Sequence, residues 1–130
     1  MAVDSGIGTS GNQLSKRRIL IVDDEQDIRD LLDTVLSNGY LTSKACDGRE
    51  AIDRVACERP DLITLDLAMP VLDGHAVLRH LAKHPDTAEI PVIVVSAFPS
   101  DLIPTSQVRR VISKPFDIVE LIEEIDKIFQ

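Results

Sequence analysis

A chain of 130 residues, 44% of them apolar, can build one self-supporting core and is too short for two domains of ordinary size. Its formal net charge of −8 repels phosphate backbones and anionic lipid, so nucleic acid and membrane are not expected as partners. Its two cysteines, Cys46 and Cys57, lie too far apart for a CxxC pattern and read as reduced thiols of a cytoplasmic protein, and no apolar run approaches the ~20 residues that would cross a bilayer.

Residues 1–15, MAVDSGIGTSGNQLS, are rich in Gly and Ser, lack a hydrophobic period and read as a flexible tail or linker; residues 16–130 are taken as the domain. The unbroken aliphatic run Ile19-Leu20-Ile21-Val22 predicts a first strand, and Ile28, Leu31, Leu32, Val35 and Leu36 follow at helical spacing. Tyr40 to Ala45 forms a weaker strand; Asp47 and Glu50 then make a capping box for a helix carrying Ile52, Val55 and Ala56. Leu62-Ile63-Thr64-Leu65 is the third strand, and a helix after Gly74 turns Val77, Leu78 and Leu81 inward. Val92 to Val95 and Val108 to Ser113 are the fourth and fifth strands; Asp117 and Glu120 start a last helix with Ile118, Leu121, Ile122, Ile125, Ile128 and Phe129 on one face.

Strands alternating with helices imply right-handed crossovers and a parallel sheet. Strands one, three and four are continuously aliphatic, as strands buried on both faces are. Strand two carries Thr42, Ser43 and Lys44, and strand five carries Arg109 and Arg110, which makes these two the edges. The expected fold is therefore an α/β, flavodoxin-like, doubly wound five-stranded sheet of order 2-1-3-4-5. Only seventeen residues separate Ser96 from Lys114, and Pro99 and Pro104 are among them, so the fourth helix should be short, displaced or irregular.

Open parallel sheets collect reactive groups beyond the carboxyl ends of their strands. Asp23 and Asp24 follow strand one here, Asp66 closes strand three, Ser96 closes strand four and Lys114 follows strand five. Three converging carboxylates suit a hard divalent cation, Mg2+ above all, which would neutralise and align an incoming phosphoryl group. Taken singly, each residue has an ordinary reading: Asp23 and Asp24 as helix caps, Asp66 as a strand-end carboxylate, Ser96 as a common strand terminator. His80 and His84, four apart on the third helix, read as surface histidines without a third ligand.

In this order the runs IVDDE (21–25), LDLAMPVLDG (65–74), VSA (95–97) and SKPF (113–116) resemble the signature regions of response-regulator receiver domains, over about residues 18–129. The resemblance implies that Asp66 is the phosphoacceptor of a histidine-to-aspartate relay and that Mg2+ is held by Asp23, Asp24, Asp66 and the backbone carbonyl of Ala68. It further implies that Ser96 is the switch hydroxyl, that Lys114 pairs with a phosphoryl oxygen, and that the Lys114–Pro115 bond is cis. The expected partners are a histidine kinase or histidine phosphotransfer protein upstream and a protein partner downstream; the chain is a phosphoacceptor rather than an enzyme.

Three positions depart from the family pattern. Val111 stands where an aromatic residue usually sits, three before the lysine, and Ala68 and Phe98 flank the acceptor without a side chain able to orient water. The output change is therefore expected in residues 97–107, and the acyl phosphate should be long-lived. The alternative is a receiver-like interaction module that works without phosphorylation. An aspartyl-phosphate hydrolase of the haloacid-dehalogenase type would need a second Asp where Ala68 stands.

Overall fold

The computed structural model describes residues 16–102 and 105–130. Reading residues 1–15 as a tail, and Pro104 as a helix breaker, concerns residues outside those described. The elements run β1 (Arg18–Val22), α1 (Gln26–Leu36), β2 (Leu41–Ala45), α2 (Gly48–Glu58), β3 (Leu62–Leu65), α3 (Gly74–Lys83), β4 (Val92–Ser96), a 3-10 turn (Pro99–Asp101), β5 (Val108–Ser113) and α4 (Ile118–Ile128). All strand pairs are parallel, in the order β2-β1-β3-β4-β5, as the aliphatic and polar strands predict.

Side chains of a strand alternate between the two faces of its sheet, and this divides the core in two. Leu20 and Val22 of β1, Ile63 and Leu65 of β3, and Val92 and Val94 of β4 pack against Val55 of α2 and Val77, Leu78 and Leu81 of α3. Ile19, Ile21, Leu62, Ile93 and Val95 point the other way, to Leu32 and Leu36 of α1 and Leu121 and Ile125 of α4. Every residue of β1 after Arg18, and all of β3 and β4, is buried, whereas β2 is half-buried up to Ala45 and β5 is largely exposed.

Between β4 and β5 the described residues contain no α-helix, only the 3-10 turn at Pro99–Asp101. Leu102 and Val108 pack against the α2/α3 core in its stead. Buried Gln107 pins the end of this connection by donating from Nε2 to the carbonyls of Thr87 (2.8 Å) and Ile90 (2.9 Å). With no long helix across it, Val111 stays 43% exposed.

Caps set the helix starts. Asp47 accepts from the Glu50 N–H at 2.8 Å, but the Glu50 carboxylate reaches back to the N–H of Cys46 rather than of Asp47, a wider version of the predicted box. Asp117 caps α4 through the Val119 N–H and Asp73 caps α3 through the Ala76 N–H. Ahead of α3 the chain reverses in a γ-turn, with Val71 at φ 69° and the Leu72 N–H donating to the Pro70 carbonyl at 2.8 Å. The reversal brings the Leu72 carbonyl to the Gly48 N–H (3.0 Å) and lays Gly74 directly on Asp66.

A Cβ at Gly74 would lie 2.5 Å from the Asp66 carbonyl oxygen and 2.8 Å from the Leu67 Cα, both backbone atoms that cannot swing aside. Gly39 has nothing within 4 Å of the same position. Gly74→Ala should therefore cost about 2 kcal/mol in urea unfolding, while Gly39→Ala should stay within about 0.5 kcal/mol of the wild type. Equal costs would show that the contact at Gly74 relaxes freely.

Candidate functional site

Strand pairing continues past the strand ends and places the site. The Asp23 N–H bonds to the Ala45 carbonyl (3.2 Å), the Asp66 N–H to the Val22 carbonyl (3.0 Å), and the Lys114 N–H to the Ser96 carbonyl (2.9 Å). Asp23, Asp66, Ser96 and Lys114 are thereby carried by the rigid sheet itself, and the Lys114–Pro115 bond is cis.

Asp23 and Asp66 are only 2% and 4% exposed, and Ser96 is fully buried. One carboxylate oxygen from each of Asp23, Asp24 and Asp66 lies within 4.8 Å of the others, with Asp24 at the open side. Neither Asp23 nor Asp24 caps α1. The N-cap is Glu25, whose side chain makes no capping bond, and Asp23 instead accepts from the Glu25 N–H at 2.9 Å. The guanidinium of Arg29 donates to the Asp23 carbonyl at 2.8 Å and fixes this loop from the helix side.

Lys114 is the cation of the cluster. Its Nζ stands 2.8 Å from Asp23 Oδ2, 3.1 Å from Glu25 Oε1 and 3.5 Å from Asp66 Oδ2. Burial alone would lower its pKa, but the hydrogen bond and charge of Asp23, then Glu25 and Asp66, outweigh it and hold the ammonium above its ordinary value. Burial also raises Asp23, against the opposing pull of Lys114. Asp66 is pushed up to about 6, first by burial and then by the charge of Asp23; Lys114 and the Ala68 N–H, which donates to Oδ1 at 3.3 Å, offset only part of this.

The charged groups open into a cleft of about 640 Å³, whose walls include Asp24, Asp66 and Lys114 and, on the apolar side, Ile28, Phe98 and Phe116. Ser96 lies beneath it; its Oγ accepts from the Phe98 N–H at 3.0 Å. Phe98, 57% exposed, also borders a second hollow that shares Asp24 and Ala68. Sequence reasoning placed all the clustered groups but missed Glu25 and Arg29. For Glu25 the available signal was its place directly after the acidic pair, on a helix start where Glu is a poor cap. His80 and His84 stack with ring centroids 4.6 Å apart, and among the described residues no third metal-binding side chain joins them.

The fold, with carboxylates and a lysine gathered at the carboxyl edge of a parallel sheet, defines a receiver module. The chain belongs to the response regulator receiver domain family, whose sequence model matches residues 19–126. Over 119 residues it is 37% identical to sporulation initiation phosphotransferase F of Bacillus subtilis, a match covering 88% of this chain and 94% of that protein. Over 81 residues it is 47% identical to response regulator MprA of Mycolicibacterium vanbaalenii, covering 62% of this chain. The chain thus spans about a third of the length of the first curated relatives it matches (34%, 35% and 34%). Among solved structures, the response regulator protein TrrA of Thermotoga maritima in complex with Mg2+-BeF aligns with a TM-score of 0.74 at 33% identity, over 85% of this chain and 97% of that one. No described helix is long and apolar enough to cross a membrane.

Because Asp66 holds its proton more tightly in the native state (about 6) than the ordinary 3.8, unfolded Asp66 ionises first as pH rises. Native stability is lost across that window, and the loss is complete above about pH 6. In metal-free buffer Asp66→Asn should therefore stabilise the protein by on the order of 1–2 kcal/mol at pH 7.5, with the gain shrinking toward pH 4. Urea unfolding at the two pH values checks this; a gain independent of pH would contradict it.

Proposed function

We propose that this chain is the phosphoacceptor of a two-component histidine-to-aspartate relay, with Asp66 as the residue phosphorylated. The observation that carries the reading is a buried carboxylate pair, Asp23 and Asp66, sharing one lysine at 2.8 and 3.5 Å, with Asp66 and Lys114 lining an open cleft. Such a site keeps Asp66 oriented as a nucleophile and leaves its surroundings short of positive charge. A carboxylate oxygen of Asp66 attacks phosphorus, the P–N bond to the donor imidazole breaks, and the departing ring nitrogen keeps the electron pair. The Lys114 ammonium and the Ser96 hydroxyl are the donors for the phosphoryl oxygens.

The cluster fits a Mg2+ ion: its donors are hard oxygens close enough to share one ion, and its negative charge exceeds what Lys114 balances. Asp23, Asp24 and Asp66 would hold it, with the Ala68 carbonyl as a further ligand. When bound, it screens the charge of the phosphoryl oxygens. The Mg2+-BeF complex of the T. maritima neighbour, and the relative named a phosphotransferase, support this reading.

In this reading the chain is a phosphoacceptor rather than an enzyme, works in the cytoplasm, takes phosphate from a histidine kinase or phosphotransfer protein, and passes its state to a downstream protein. The 3-10 connection after Ser96 is the segment best placed to move. A phosphorylation-independent interaction module is the second reading, favoured by exposed Val111 where a rotating ring would otherwise relay the change.

Acetyl-phosphate labelling read by intact mass separates the two. The wild type should gain one phosphoryl group in the presence of Mg2+ and Asp66→Asn none, while Asp24→Ala should weaken Mg2+ binding roughly tenfold or more. Labelling of Asp66→Asn at the wild-type rate would remove Asp66 as acceptor. With Ala68 and Phe98 beside the acceptor, attacking water has no side chain to orient it, so Ala68→Asn with Phe98→Glu should speed loss of the label. An unchanged decay would show that these positions do not control lifetime.

A further inference from the structure

The side chain of Glu25 has no role in the reading above, yet it touches the group on which that reading turns. We propose that Glu25 is a positioning residue that competes with the phosphoryl group for Lys114 and so sets how readily Asp66 is occupied; the proposal rests on Asp66 being the acceptor.

An ammonium has three N–H donors. In the resting protein Lys114 directs them toward Asp23 at 2.8 Å and Glu25 at 3.1 Å, and Asp66 is the most distant of its three carboxylates at 3.5 Å. A phosphoryl oxygen on Asp66 has to draw Lys114 toward itself. Asp23 is buried and fixed by its bond from the Glu25 N–H, so it cannot yield. Glu25 can: its side chain is 59% exposed, and water solvates the carboxylate once it lets go.

The position of Glu25 in the fold supports the same conclusion. It is the N-cap of α1, where a short side chain would normally accept from the first free N–H groups, but its side chain makes no capping bond. Instead it extends along the cleft wall beside Asp24 and Asp66 to meet Lys114, 89 positions on in the chain. The residue thus gives up a local bond and makes a long-range one to the cation of the site. Its charge is one of three carboxylates around a single lysine.

A control for charge alone lies on the same helix turn. Asp27 carries the same charge and borders the outer hollow with Glu25, but no ion pair joins it to Lys114. Beryllofluoride, which adds to a carboxylate oxygen as a phosphoryl mimic, measures the competition at equilibrium by 19F NMR with Mg2+ saturating. Glu25→Gln should tighten beryllofluoride binding by about twofold to fivefold, the size of one exposed ion pair. Asp27→Asn should leave it unchanged, and in a Lys114→Met background Glu25→Gln should have no effect.

An unchanged affinity in Glu25→Gln would overturn the proposal. So would an equal gain in Asp27→Asn or in the Lys114→Met background, since either would reduce the effect to general charge at the cleft mouth. If Asp66→Asn binds beryllofluoride as well as the wild type, the acceptor reading falls and the proposal falls with it. If only Asp66→Asn loses binding while Glu25→Gln matches the wild type, the acceptor reading stands and Glu25 is not a competitor.

Discussion

Two carboxylates, Asp23 and Asp66, are held almost out of water at the end of a parallel sheet, and one ammonium is shared between them. Like charges in a desolvated site resist ionising together. Burial and Asp23 together raise Asp66 to about 6, and Lys114 recovers only part of the difference. The site is therefore left wanting positive charge. A divalent cation would relieve that directly, and a phosphoryl group would be a further claimant on Lys114 beside its three carboxylates. The chemistry proposed for this chain follows from that deficit rather than from any one residue.

The rest of the fold maintains the deficit. Burial of β1, β3 and β4 on both faces keeps the strand ends rigid, and pairing that runs one residue beyond them fixes Asp23, Asp66 and Lys114 relative to one another. Gly74 permits the β3–α3 loop to press its backbone on Asp66, and Arg29 holds the β1–α1 loop through the Asp23 carbonyl. If any of these supports loosened, water would enter and the carboxylates would return toward ordinary acidity.

Much of this was legible in the chain. The contrast between aliphatic strands and the polar Thr42-Ser43-Lys44 and Arg109-Arg110 segments carries the strand order, because burial on two faces tolerates no charge. The acidic pair, Asp66, Ser96 and Lys114 could be placed because strand ends in such sheets face one crevice. What the pattern did not carry was which neighbour each group would choose. Glu50 bonds to Cys46 rather than to its own cap residue, Glu25 bypasses its helix for Lys114, and Gln107 ties down the β4–β5 connection in place of a helix. These are choices among side-chain rotamers and long-range partners, and no periodicity encodes them.

Proton release on binding Mg2+ tests the central claim, that a shortage of positive charge holds a proton on Asp66. Calorimetric titration at pH 6 in buffers of different ionisation enthalpy reads the protons released directly. With Asp66 near 6 in the metal-free protein, binding should expel about half a proton at that pH and almost none at pH 8. Binding that releases no proton at pH 6 would mean that Asp66 is already fully ionised, and that the site does not carry the unbalanced charge on which this account depends.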